Sequence, residues 1–166
     1  MVAGVAASVG RDDGSAYMAF LDREIGLGNL LQCLERAWFD CFRASAVRAA
    51  ATATEHGAGG WLYDFEVETD HELGVTHFAD VPFTFNWVRD GHPREFVHPS
   101  TPENEEIAEM WSATVVEFVK HGDPNGHGLP EWPTYGPDDR SSLRVRRQSE
   151  VVQDVDADLL EIYRAI

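Results

Sequence analysis

The feature that most constrains this chain is a change of hydrophobic period near residue 57. From Leu27 to about His56, apolar residues recur at helical spacing (Leu30, Leu31, Leu34, Trp38, Phe42, Val47), and Gly57-Ala58-Gly59-Gly60 closes the run. Trp61-Leu62-Tyr63-Asp64-Phe65-Glu66-Val67 follows directly. It is aromatic and β-branched with partial alternation, and reads as a strand about as long as a buried sheet member. A long helical run, whole or broken near Asp40, that hands over to such a strand places the chain in a mixed helix-and-strand class.

The remaining segments fit that class. Residues 1–26 read as a loose start followed by a short amphipathic piece around Tyr17–Ile25. A loop carrying Asp70, His71 and Glu72 delivers the chain to His77, and the polar stretch after Trp87 holds three prolines and reads as a surface excursion. Thr101-Pro102-Glu103-Asn104 then opens a helix: threonine suits the N-cap, proline the first helical position, and acids the positive end of the helix dipole. Ile107, Met110, Trp111, Val115 and Phe118 form its apolar stripe, and Gly122 ends it. Short strands are expected near Leu143–Arg147 and at Val151-Val152, with a terminal helix from about Ala157. No repeat or linker divides the chain, so residues 1–166 read as a single domain.

Charge narrows the partners. With 29 acidic against 13 basic residues the formal net charge is −16, a sign that repels phosphate backbones and anionic lipid. Nucleic acid and membrane are therefore not expected partners. No apolar run reaches the eighteen or so residues of a membrane helix. Met1–Gly10 lacks the basic and bulky apolar parts of a signal peptide, so a cytoplasmic location is the expectation. Cys33 and Cys41 stand about 12 Å apart along one predicted helix, too far for a mutual disulfide, and are expected to be buried free thiols.

Cofactor motifs are missing. The sequence has no Gly-rich phosphate loop and no His/Cys set at metal spacing; the pairs His71/His77 and His92/His98 are separated by loop or proline. No cofactor or metal is expected. A Gly-x-Ser-x-Gly elbow, which exposes a serine hydroxyl on a sharp strand-to-helix turn, is also missing. Ala6-Ala7-Ser8-Val9-Gly10 comes nearest but has too few residues ahead of it for a strand. The GDPNG segment at Gly122–Gly126 reads as a turn, and Trp111, Phe118, Trp132 and Tyr135 as core. The residues alone leave His77 open between a general base and an ordinary imidazole.

From about Phe39 to Tyr163, however, the chain resembles the C-terminal portion of type B carboxylesterases, the α/β-hydrolase family that includes para-nitrobenzyl esterases and cholinesterases. Asp40-Cys41-Phe42-Arg43 and Leu62-Tyr63-Asp64-Phe65 resemble the segment before the last core strand and that strand. His77-Phe78-Ala79-Asp80-Val81-Pro82-Phe83-Thr84-Phe85 resembles the block around the family's catalytic histidine. Trp111 through Phe118, His121-Gly122-Asp123-Pro124-Asn125-Gly126 and Leu129-Pro130-Glu131-Trp132-Pro133-Thr134-Tyr135 resemble its closing run in identity, order and spacing.

The resemblance implies a partial α/β-hydrolase fold, helix-rich, with a short sheet remnant packed against the helices over 27–56 and 101–121. It implies that His77 is the general base, that a carboxylic ester is the substrate, and that no cofactor takes part. Phe78 departs from the small residue the family has beside the histidine. Serine elbow and oxyanion loop belong to upstream parts of the family's sequence. Asp12, Asp13, Asp22 and Glu24 occupy the region open to the triad acid, yet none stands in the acid motif. The expectation is thus a C-terminal carboxylesterase segment inactive alone. A complementing subunit that meets an upstream nucleophile-bearing chain, and a non-catalytic binding module, are the alternatives.

Overall fold

The computed structural model describes residues 14–67, 74–88, 98–155 and 157–164. In chain order it comprises α1 (Ser15–Glu24), α2 (Leu30–Glu55), β1 (Tyr63–Phe65), α3 (Val81–Thr84), α4 (Pro102–His121), β2 (Ser142–Val145), β3 (Glu150–Val152) and α5 (Ala157–Arg164). The helix expected over 27–56 is one unbroken element. The strand expected over 61–67 is shorter, and among the described residues β1 has β2 as its one hydrogen-bonded neighbour. The chain divides into two compact units, residues 1–60 with 154–166, and residues 61–153.

The first unit is built on α1, α2 and α5. Tyr17, Phe20, Leu21, Cys33 and Ala37 form its core, joined by Leu34 and Ile162 at the margin. At its centre is a carboxylate rather than a hydrocarbon. Asp40 is fully buried; Tyr17 Oη donates to it at 2.7 Å, and Arg36 Nε donates to both its oxygens at 2.8 and 2.9 Å. A buried charge is tolerated only when paired and hydrogen-bonded in this way. Both cysteines are free thiols, Cys33 buried and Cys41 half-buried. Gly60 ends the unit where a Cβ would collide with the Ala50 carbonyl, so the backbone can pass α2 only as glycine.

The face that α2 buries differs from the one its large apolar residues suggest. Leu30, Leu31, Trp38 and Phe42 are exposed, whereas Cys33, Ala37, Asp40, Ala44, Val47 and Ala50 face inward. The buried face is the one that carries Asp40, whose cluster with Tyr17 and Arg36 must be kept from water.

In the second unit β1 pairs parallel with β2 (Tyr63 opposite Leu143, Phe65 opposite Val145), and β2 pairs antiparallel with β3 (Leu143 opposite Val151). A parallel pair needs a long crossover, and the connection between β1 and β2 contains α3 and α4. Thr101 caps α4 by accepting the Asn104 N–H at 3.2 Å, Pro102 begins it, and Gly122 closes it in the left-handed conformation (φ 74°) with its N–H on the Phe118 carbonyl. The core joins Val67, Phe83, Val88, Ile107, Ala108, Trp111, Trp132, Leu143 and Val145. Trp111, Trp132 and Tyr135 are buried as expected. Phe118 is not: it is 46% exposed.

The GDPNG turn acts as a pin. Asp123 Oδ1 accepts the backbone and side-chain N–H groups of Asn125, which hold the Asp123 carboxyl below its ordinary range. The Asn125 side chain in turn pairs with both the N–H and the carbonyl of Trp132, at 2.7 and 2.9 Å, substituting for a sheet partner.

Candidate functional site

His77 stands on the turn that leads into α3. Two successive backbone bonds shape this turn, Ala79 N–H to the Thr76 carbonyl (3.0 Å) and Val81 N–H to the Phe78 carbonyl (3.2 Å). The His77 side chain is exposed, and its ring lies 3.9 Å from that of Phe78, centroid to centroid.

Three contacts hold the turn and α3 to the second unit. Tyr63 Oη, on β1, donates to Asp80 at 2.9 Å. Phe83 is wholly buried against Phe65, and Trp111 Nε1 of α4 donates to Thr84 Oγ1 at 3.1 Å. His77 therefore presents an exposed side chain on an anchored backbone. Burial, then the charge of Asp80, then the hydrogen bond to it push the Tyr63 phenol well above its usual range. The phenol thus remains a donor to Asp80 throughout neutral pH.

Beside this turn lies a cavity of about 320 Å³. Its aromatic walls are Trp61, Tyr63, Trp111, Phe118 and Trp132, and its polar groups are Asp80, Thr84 and Thr114. The rings brace one another: Tyr63 packs on Trp111 at 4.6 Å, and Trp61 meets Phe118 edge-on at 5.7 Å. Such a wall suits an apolar or aromatic group. His77 is not among its lining residues; the cavity reaches the turn through Asp80 and Val81.

Ser8, Asp12, Asp13, Asp70, His71, Glu72 and His92 lie outside the described residues. Asp22 and Glu24 belong to the first unit and are engaged locally, Asp22 with the Leu27 N–H (3.1 Å) and Glu24 with Arg23 (2.8 Å). His98 is buried edge-on to Phe65 and Phe83. Among the described residues no group of three or more His, Cys, Asp or Glu could hold a metal ion, and no helix is long and apolar enough to cross a membrane. Sequence reasoning missed the Tyr63–Asp80 pair. Asp80 stood in the quoted histidine block, but nothing local could reveal a partner seventeen positions upstream.

The carboxylesterase family pattern matches residues 29–161. The chain is 28% identical over 118 residues to a protein named Secreted lipase 4 from Gibberella zeae, covering 68% of this chain and 19% of that one. It is 32% identical over 98 residues to a phenmedipham hydrolase from Pseudarthrobacter oxydans, covering 56% and 20%. The structure of a Geobacillus stearothermophilus carboxylesterase superposes with a TM-score of 0.59 at 30% identity, over 70% of this chain and 24% of that one. The chain thus spans about a fifth of the length of the curated relatives it matches. Its helix-rich layers and three-stranded sheet are a partial α/β-hydrolase fold. With four-fifths of its length inside the matched region, the chain belongs to the carboxylesterase family.

Proposed function

We propose that this chain supplies the general base, His77, of a serine carboxylic ester hydrolase whose nucleophile and oxyanion donors lie on polypeptide outside these 166 residues. The observation that carries the reading is the placement of His77: an exposed imidazole on a turn tied to β1 by Asp80 and Tyr63, within a chain of the carboxylesterase family. Chemically, the imidazole accepts the serine proton as the oxygen attacks the ester carbonyl. The imidazolium then returns that proton to the departing alcohol, and water releases the acid by the same relay. Loss of one oxyanion donor typically costs about 100- to 1000-fold, so a chain with neither nucleophile nor donors has no significant turnover by itself.

The test is hydrolysis of a short-chain para-nitrophenyl ester by the chain alone and by the chain mixed with the nucleophile-bearing portion of a family member. The expected result is a buffer rate alone and, in the mixture, hydrolysis that His77→Ala removes. Equal hydrolysis by the mixture with His77→Ala would overturn the assignment of the base. Hydrolysis by the chain alone would place a nucleophile within it, with Ser8 the next substitution.

One observation favours a second reading. The aromatic cavity does not include His77 in its wall, as a non-catalytic binding module would have it. That reading requires His77→Ala to leave every measured property of the chain unchanged.

A further inference from the structure

Among the described residues, five that are not glycine have left-handed backbone: Phe78 (φ 63°), Asn86, His127, Arg140 and Asp154. Asn, His and Asp tolerate that region; a bulky aromatic residue does so at a cost in strain. Burial does not offset the cost at Phe78, whose side chain is 54% exposed. What the conformation does achieve is local: it brings the Phe78 ring to 3.9 Å from the His77 imidazole at a 45° tilt.

We propose that Phe78 is a positioning residue for His77: its left-handed backbone sets the ring against one face of the imidazole and limits the rotation of that ring. The proposal rests on reading His77 as the base, since only then does the orientation of this imidazole matter. Backbone and ring contribute separately. The turn at 78 would be relaxed by glycine, and the contact with the imidazole requires a flat aromatic surface of the kind that also attracts an imidazolium.

Nuclear magnetic resonance of the 166-residue chain separates these contributions. The His77 Cε1–H and Cδ2–H signals, assigned by their loss in His77→Gln, carry the ring-current displacement of Phe78. In Phe78→Ala they move toward free-imidazole values; in Phe78→Tyr they stay near wild type. His56, His98, His121 and His127 serve as internal controls for an intact fold. Phe78→Gly shows the same loss of displacement but melts about 2–4 °C above Phe78→Ala, because alanine retains the left-handed strain and glycine does not. His77 signals that coincide in wild type and Phe78→Ala would overturn the proposal, as would equal melting temperatures for the glycine and alanine variants. Neither readout involves ester turnover. Hydrolysis that survives His77→Ala would therefore sink the base assignment and leave these shifts in place, whereas unchanged shifts sink the positioning role alone.

Discussion

Tyr63 and Asp80 form the pair on which the His77 turn depends. Removing the phenol oxygen leaves Asp80 to water. Tyr63 keeps about a third of its surface exposed (37%), so solvent replaces part of what is lost. Tyr63→Phe is expected to lower stability by about 1 kcal/mol in urea unfolding. The pH dependence has a definite sign. Because the folded phenol holds its proton above the ordinary value of 10.0, its contribution is fully present below that pH. As the pH rises further, the unfolded chain ionises while folded Tyr63 remains neutral, and stability falls. Wild type should therefore lose more stability than Tyr63→Phe between about pH 9 and pH 11. Parallel losses would show that the phenol is not shielded.

At the scale of elements, α2 and α4 contrast. The expected stripe of α4 includes Ile107 and Trp111, which are buried, and its caps are those its ends announce. α2 turns its largest apolar side chains outward and closes instead on Asp40. Taking away a carboxylate that pairs with the half-exposed Arg36 and satisfies the buried Tyr17 phenol is far costlier than removing an exposed leucine. Asp40→Ala should cost about 1–3 kcal/mol, the penalty for leaving the buried Tyr17 phenol without its acceptor while solvent screens Arg36, and should lower the urea midpoint of the first unit. Leu31→Ser, on the same helix but 69% exposed, should change stability by less than about 0.5 kcal/mol. Equal effects of the two substitutions would mean that Asp40 is not the hub of this helix.

At the scale of the molecule, each unit carries exposed apolar surface. Trp38 stacks on Phe42 in the first, and Phe85 stacks on Trp87 in the second; all four are exposed. β1 has no strand on its outer edge among the described residues. Patches and edges of this kind favour association, while a net charge of −16 opposes it. The chain alone should therefore sediment as species larger than a monomer, increasingly so as salt screens the repulsion. Introducing Trp38→Glu with Phe42→Glu should shift the distribution toward monomer. A wild-type chain that stays monomeric at high salt would count against exposed apolar surface as a driver of association.

The limits of helices were legible because caps and periodicity are short-range. Thr101, Pro102 and Gly122 act on backbone groups within one turn of themselves, and each does in the structure what its residue type implies. The histidine block and the closing run were legible as well, since identity and spacing in a linear motif survive without coordinates. Which face of α2 is buried was not, because hydrophobicity ranks side chains singly. The Asp40 cluster draws in Tyr17, twenty-three positions away. The same holds for Tyr63 on Asp80 and Trp111 on Thr84: the strength of each bond depends on distances that exist only once β1, α3 and α4 have packed. The sequence by itself thus determined the α/β class, the helix ends and the histidine on which a function could rest; the tertiary structure alone decided how that histidine is held, because packing brings together partners that local sequence cannot pair.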